Sequence, residues 1–252
     1  MKNFSCRKIS NARFYQLLFG VIALDVSVAV SAADPVPAEK SKTDAVAVPQ
    51  ADANLTEAKV EALLVRMREL CKGGSRVELI QEFKDVDIAA WPSAFKDKGV
   101  GTAKTVDGLN LRGMGFWTLK DYERAEKDFK LALELSPTNG YLWNSMGDVY
   151  KNMKDDQRAL DAYTKAFDNV GKSYGWMPLS ATLNAAAILI SQTKYPEALK
   201  VMERYDDGDI QKMAPAWGVK MLRTYGQIYT GMGREEDSAA KFKAALELEQ
   251  KK

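Results

Sequence analysis

Two adjacent segments of the same length decide the fold. Residues 106–139 read VDGLNLRGMGFWTLKDYERAEKDFKLALELSPTN, and residues 140–173 read GYLWNSMGDVYKNMKDDQRALDAYTKAFDNVGKS. Superposed at a 34-residue step, the two copies share residue types at six positions: Leu109 with Trp143, Gly113 with Gly147, Phe116 with Tyr150, Ala125 with Ala159, Phe129 with Tyr163, and Ala132 with Ala166. Small residues let two antiparallel helices approach closely, and the large residues fill the gaps between helix pairs. The pattern predicts a helix–turn–helix unit that buries its apolar face by stacking.

Two further copies of the unit follow with lower fidelity, at 179–212 and 219–252. Their matching residues are Ala186, Leu189, Tyr195, Ala198 and Met202 in the third copy, and Leu222, Gly226, Tyr229, Gly233, Phe242 and Ala245 in the fourth. Residues 174–178 and 213–218 are additional to the 34-residue step, and each segment contains a Trp and a Pro. We interpret both as lengthened starts of the helices that follow.

Residues 106–252 resemble the tetratricopeptide repeat family, whose unit is a helix–turn–helix of this length. The resemblance implies an all-α fold in which antiparallel helix hairpins stack into a superhelix, or α-solenoid. It also implies a concave groove lined by the first helix of each repeat, which binds proteins or peptides. The family's groove positions, transferred to this sequence, give a candidate partner-binding set: Asn110, Trp117, Tyr141, Asn144, Asp148, Lys151, Leu183, Ile190, Arg223 and Gln227.

This candidate groove is chemically mixed, with amides and an aromatic ring at one end, apolar residues in the middle and bases at the other end. Such a surface suits an extended peptide or a helix. Some family members bind the terminal carboxylate of a chaperone with a Lys and an Asn in one repeat. The corresponding pairs here are Asn110 with Met114 and Asn144 with Asp148, which argues against that ligand.

A helical hairpin and a loop are predicted to precede the repeats, over residues 54–98. Asn54 and Glu57 form a capping-box-like pair before one apolar helical stripe, and Ser75 and Glu78 form a capping box before a second. This hairpin is either a degenerate repeat or a cap. Residues 98–105 (KGVGTAKT) lack the spacing of a phosphate-binding loop and are predicted to be a flexible loop.

Residues 1–32 have the three parts of a secretory signal peptide: a basic start, an apolar run over residues 14–30 and small residues before a possible cleavage site after Ala32. An uncleaved N-terminal anchor and a buried core helix are the alternatives. Residues 33–53, rich in Ala, Pro, Lys and Asp, are predicted to be a flexible linker. We therefore expect an exported protein, periplasmic or secreted, with attachment to the membrane by its N-terminus as the alternative.

Composition excludes several kinds of chemistry. The chain of 252 residues has no histidine, which removes His-dependent triads, dyads and zinc sites. It has two cysteines; Cys71 is predicted to be a buried thiol, with an intermolecular disulfide as the alternative. The formal net charge of +2 becomes −1 without residues 1–32, which hold four bases and one acid. No catalytic, cofactor-binding or metal-binding residues are predicted, and acid pairs such as Asp155-Asp156 are interpreted as helix caps.

These observations favour a non-catalytic protein-interaction module, an exported scaffold or assembly factor that needs no cofactor. The alternatives are a periplasmic co-chaperone or a regulatory subunit of a secreted enzyme and, more weakly, a carboxylate-based hydrolase. The expected partner is a protein or peptide. Nucleic acid is not expected, because bases and acids are interleaved along the helices. The sequence makes no prediction of the oligomeric state.

Overall fold

The structure, a computed structural model, describes residues 55–171, 173 and 175–250, and this part of the chain is helical with no β-strand. Its α-helices are α1 Glu57–Lys72, α2 Arg76–Phe83, α3 Lys98–Thr118, α4 Tyr122–Leu135, α5 Gly140–Asn152, α6 Asp156–Val170, α7 Trp176–Ser191, α8 Tyr195–Met202, α9 Asp207–Lys212, α10 Pro215–Gly231 and α11 Glu235–Gln250. A 3₁₀ helix spans Ile88–Ala94. The predicted signal peptide, the predicted linker and the capping role of Asn54 lie outside the described residues.

Four helix pairs form the body: α3 with α4, α5 with α6, α7 with α8, and α10 with α11. The first helices of successive pairs also contact one another, α3 with α5, α5 with α7, and α7 with α10. The second helix of each of the first three pairs packs against the first helix of the next, so one continuous core runs along the stack. The predicted all-α architecture of stacked helix hairpins is confirmed.

Within a pair, the two helices meet where a residue with no side chain faces a ring. A Cβ added to Gly113 would lie 2.9 Å from Phe129, one on Gly147 would lie 2.5 Å from Tyr163, and one on Gly226 would lie 2.8 Å from Phe242. Each glycine precedes its ring by 16 residues. The third copy has Ala186 and Met202 at this spacing, both fully buried. The methyl group of Ala186 is thus accommodated because the facing side chain, Met202, is thinner and more flexible than an aromatic ring.

The turn inside each repeat has the same backbone conformation in all four copies. Lys120, Lys154, Thr193 and Gly233 occupy the fifteenth position of their copies, and their φ angles are 62°, 61°, 59° and 71°. In every copy the next N–H donates to a carbonyl of the preceding helix at 2.9 Å, from Asp121 to Phe116, Asp155 to Tyr150, Lys194 to Leu189 and Arg234 to Tyr229. This left-handed helix end satisfies carbonyls that would otherwise lack partners. The shared geometry supports the register of the two weaker copies.

In each of the first two turns, an aspartate caps the second helix and an arginine packs against an aromatic ring of the first helix. Asp121 caps α4 by accepting from the backbone N–H of Arg124, and the Arg124 guanidinium packs 4.6 Å from the Phe116 ring centroid. Asp155 caps α6 with Arg158, whose guanidinium lies 4.4 Å from the ring centroid of Tyr150. Asp206 and Asp209 form a capping box for α9. The interpretation of Asp155 as a helix cap is therefore confirmed, and Asp206 has the same role.

Two predictions for the residues before the repeats are wrong, the capping role of Ser75 and the loop at 98–105. The cap of α1 is Thr56, whose hydroxyl accepts from the N–H of Lys59 at 3.3 Å, and the Ser75 side chain makes no capping bond to α2. Residues 98–105 are not a loop. They form the first turns of α3, capped by Asp97, whose Oδ1 accepts from the N–H of Gly99 at 2.9 Å.

Tertiary packing explains why this glycine-rich segment is helical. A Cβ on Gly101 would lie 2.9 Å from the Pro92 backbone, and one on Gly108 would lie 2.5 Å from the ring of Trp91. Trp91 is fully buried. Glycine weakens an isolated helix, but here it lets the 3₁₀ helix lie directly against α3. The burial of a large aromatic side chain offsets the low helix propensity.

The third copy departs from the expected unit in its second half. Its second helix, α8, ends at Met202, and residues 207–212 form a separate helix. Between them lies Tyr205, which is fully buried and donates its hydroxyl to the carbonyl of Ser173 at 2.8 Å. The lengthened starts are confirmed for the described residues, since α7 includes Trp176–Pro178 and α10 includes Pro215–Gly218.

We predict that Thr193→Gly raises the free energy of unfolding by about 1 kcal/mol, because a β-branched residue is strained at positive φ. The matched control is Gly233→Ala at the equivalent position, which should lower it by a similar amount. Urea unfolding followed by far-UV circular dichroism measures both. A loss of stability in Thr193→Gly would contradict the left-handed turn.

Candidate partner-binding groove

The first helices of the four pairs carry all ten predicted groove residues. α3 carries Asn110 and Trp117; α5 carries Tyr141, Asn144, Asp148 and Lys151; α7 carries Leu183 and Ile190; α10 carries Arg223 and Gln227. Because α3, α5, α7 and α10 contact one another in sequence, these residues follow one continuous row of helices. The row is called the groove below.

The ten residues differ in how much surface they offer. Asn110 and Asn144 are only 5% and 2% exposed, so a partner cannot reach them without rearrangement. Trp117, Tyr141, Asp148, Leu183 and Ile190 are half-buried. Lys151, Arg223 and Gln227 are exposed. The accessible chemistry of the predicted set is therefore concentrated on α7, α10 and the end of α5.

A polar cluster centred on Asp148 joins α5, α6 and α7. Its Oδ1 accepts from the Tyr163 hydroxyl at 2.7 Å and from the Asn184 amide at 3.3 Å, and its Oδ2 lies 3.5 Å from Asn144 Nδ2. Lys151 Nζ donates to Asn184 Oδ1 at 3.1 Å. The Oδ1 of Asn144 is buried and has no hydrogen-bond partner. The cluster therefore links two repeats through a carboxylate whose two oxygens both face donors of the fold.

Burial raises the pKa of Asp148 to about 6, although the Tyr163 hydrogen bond and the charge of Lys151 oppose the shift. The pKa of Tyr163 is in turn raised far above its usual range, first by burial and then by the Asp148 charge. Ionised Asp148 is thus an energetic cost to the fold near neutral pH. The Asp148 carboxylate is hydrogen-bonded to side chains of the same chain, which is typical of a carboxylate with a structural role.

A cavity of about 390 Å³ opens into the groove between α7 and α10. Its size falls within the range of small-ligand pockets and side-chain binding sites. The lining residues are Ser180, Leu183, Asn184, Ala187, Trp217, Lys220, Arg223, Thr224 and Gln227.

The cavity brings together three predicted residues, Leu183, Arg223 and Gln227, and separates them from the rest of the predicted set. Of its other lining residues, Trp217 lies in a segment additional to the repeat, outside the positions that the family pattern covers. Asn184 follows Leu183 by one residue, and the helical phase set by the pattern gave no reason to include it. Only the packing of α7 against α10 places these side chains together.

The described residues show no other obvious chemical site. No group of three or more His, Cys, Asp or Glu among them could hold a metal ion. Cys71 is buried and forms no disulfide, and burial raises the pKa of its thiol. Within the same residues, none of the helices combines the length and hydropathy that a bilayer crossing requires.

Comparison with known proteins identifies the repeats. The tetratricopeptide repeat family profile matches residues 106–139 and 141–168. Among solved structures, MamA is similar over 76% of this chain and 92% of its own, with 18% sequence identity and a TM-score of 0.59. BtubC (BKLC) from P. vanneervenii is similar over 79% of this chain and 92% of its own, with 17% identity and a TM-score of 0.51. No curated protein matches the chain in sequence.

Fold and groove together define the class, an α-solenoid of the kind that serves as a protein-interaction scaffold. More particularly, residues 106–168 of this chain are tetratricopeptide repeats, and the structure continues the same stacking through α11. The predicted resemblance is confirmed. At these identities the likeness to solved structures concerns the fold alone. The choice of groove residues stays a prediction.

We predict that Asp148→Asn removes a pH dependence of stability. Because the folded pKa of Asp148 lies above the unfolded value, the ionisation of this one group costs the wild-type protein stability as pH rises from about 4 to about 6, by at most about 3 kcal/mol. An Asn at this position can still accept from Tyr163 and Asn184 through its Oδ1, and it brings no charge into the cluster. The free energy of unfolding of the variant, measured by urea unfolding at several pH values, should therefore rise relative to that of the wild type across this pH window.

Asp155→Asn is the matched control. The backbone N–H and the guanidinium of Arg158 lower the pKa of Asp155, so this variant should lose stability relative to wild type as pH rises through the acidic range. A stability difference between Asp148→Asn and wild type that is constant with pH would contradict the assigned environment of Asp148.

Proposed function

We propose that this chain is a non-catalytic scaffold or assembly factor that binds a peptide or helix of a partner protein in its groove. The observation that carries the proposal is the open cavity between α7 and α10, on the row of first helices. It combines apolar side chains with several groups able to form hydrogen bonds, which is the composition of a site for a peptide side chain.

The polar chemistry of the described residues favours binding over catalysis. Asp148 has the strongly raised pKa that often marks an active site. Its Oδ1, however, is occupied by Tyr163 and Asn184, and these bonds connect helices of the fold. Arg112 and Asp128, another largely buried charged pair, form an ion pair at 2.8 Å that joins α3 to α4. Both clusters are accounted for by the stacking of the repeats.

We further propose that the protein acts outside the cytoplasm, in the periplasm or as a secreted protein. The support is the sequence of residues 1–32, which has a basic start, an apolar run and Val30-Ser31-Ala32 at its end. The linker of residues 33–53 would then separate the cleavage site or anchor from the folded repeats.

Site-specific photocrosslinking tests the binding proposal. A photoreactive phenylalanine analogue replaces Gln227, which lines the cavity, or Lys200, which is exposed on α8 and does not line it. We predict a discrete crosslinked product from position 227 in intact cells and none from position 200. Ala187→Trp, which fills the cavity from an exposed position, should abolish the product, whereas Lys200→Trp should not. Equal crosslinking at both positions, or none at 227, would contradict groove binding.

Export has its own test. We predict that the protein recovered from cells that express the full chain begins at Ala33, as determined by N-terminal sequencing of the envelope or secreted fraction. A chain that retains Met1 and sediments with membranes would contradict cleavage and favour the N-terminal anchor. An intact chain in the cytoplasmic fraction would contradict export.

A further inference from the structure

The cavity between α7 and α10 has a distinct charge pattern. Its lining contains two cationic side chains, Lys220 and Arg223, and no aspartate or glutamate. Its apolar part is supplied by Leu183, Ala187 and Trp217. Aromatic and arginine residues of this kind are the usual anchors of protein interfaces. The site therefore offers an apolar wall beside positive charge.

The arginine is held in place while most of its donors remain available. Arg223 Nη2 lies 2.9 Å and 3.0 Å from the two carboxylate oxygens of Glu249 on α11. A guanidinium has five N–H donors, and this pair is made through one nitrogen. The ion pair with Glu249 orients the guanidinium at the cavity, and its other nitrogens can serve a second carboxylate.

The lysine is positioned by an aromatic ring instead of an acid. Lys220 Nζ lies 4.9 Å from the ring centroid of Trp217, a cation–π distance. Among the described residues, Lys220 forms no ion pair within 4.0 Å. A carboxylate from a partner could therefore pair with the Lys220 ammonium without displacing a carboxylate of this chain.

The groove next to the cavity continues the same pattern. Lys151, exposed on α5, reaches across to Asn184 in the cavity lining, with 3.1 Å between Nζ and Oδ1. Asp148, on the same helix, turns its Oδ1 toward Tyr163 and Asn184 inside the fold. Positive charge is thus exposed along this part of the groove, although the chain as a whole is close to neutral.

We propose that the cavity binds an internal acidic residue of a partner peptide together with a neighbouring aliphatic or aromatic side chain. Lys220 and Arg223 would receive the carboxylate, and Trp217 and Leu183 would receive the apolar side chain. Gln227 can bond the peptide backbone between them, and the Thr224 hydroxyl, which donates to the Lys220 carbonyl, can accept from that backbone. This inference rests on the proposed function and adds the chemical class of the ligand. Complementary charge of this kind gives specificity and fast association.

Calorimetric titration of the full chain with three sets of short synthetic peptides tests the inference. In the first set Leu or Phe alternates with Asp or Glu, in the second with Lys, and in the third with Ser or Gln. All peptides are acetylated and amidated, so that no terminal carboxylate contributes. A single-stranded oligonucleotide of similar charge serves as a non-peptide polyanion.

The expected result is binding of the acidic–apolar peptides only. Lys220→Glu and Arg223→Gln should each weaken it by about tenfold. Lys200→Glu, which makes a charge change on α8 outside the cavity, should leave it unchanged. Ala187→Trp should abolish it. Thermal melting of each variant, followed by circular dichroism, separates loss of binding from loss of fold. If Lys220→Glu is destabilised, Lys220→Gln replaces it.

The other outcomes overturn the inference in distinguishable ways. Equal binding of all three peptide sets, abolished by Ala187→Trp, would overturn the acidic preference and leave groove binding intact. Preference for the basic peptides, or for the oligonucleotide over all peptides, would also overturn it. Failure to bind any peptide, together with no crosslink at position 227, would remove the proposed function and this inference together.

Discussion

The close contact between one small residue and one large residue determines how each repeat is built. Gly113, Gly147 and Gly226 place bare backbone against the rings of Phe129, Tyr163 and Phe242. A side chain at these positions would collide with the facing ring. The rings of Phe129 and Tyr163 are buried, and interiors packed to crystal-like density have no room to absorb the collision. The spacing of the two helices in a pair therefore depends on these contacts, and the core between neighbouring pairs is built on that spacing.

The groove follows from the same constraint. Since each first helix uses one face to meet its own second helix, another face remains for the first helices of the neighbouring repeats. On that side the chain places two different kinds of polar group. The Asp148 cluster ties α5, α6 and α7 together from within, and the cavity between α7 and α10 presents Lys220 and Arg223 to solvent. The inward cluster serves the fold. Lys220, and the nitrogens of Arg223 that Glu249 does not engage, can bind a partner.

The fold could be predicted from the sequence to the extent that it depends on local pattern. The repeats at 106–173 were found because small and large residues recur at one fixed step, and that step reflects direct helix contacts. The shared left-handed turn was not found, because Lys120, Lys154 and Thr193 have no glycine to reveal a positive φ. The helix at 98–105 was missed because its support comes from tertiary packing, in which Gly101 lies against Pro92 and Phe95 of the preceding segment.

The candidate site was less accessible to sequence reasoning. Family positions identify which helix faces the groove, but they do not report how deeply each residue is buried, and Asn110 and Asn144 prove to be covered. The cavity depends on how α10 is placed after α9, a short helix that interrupts the repeat. Trp217 enters the lining through that interruption, so no periodic pattern could have selected it.

A double-mutant cycle on Gly113 and Phe129 tests the central contact most directly. Gly113→Ala and Phe129→Met together recreate the Ala186 and Met202 combination that the third copy uses. If the two residues are complementary in size, the double variant should be more stable than the sum of the single effects predicts, by about 1 kcal/mol or more. Effects that add to within about 0.5 kcal/mol would contradict the account, because independent residues could not set the spacing of the helix pairs.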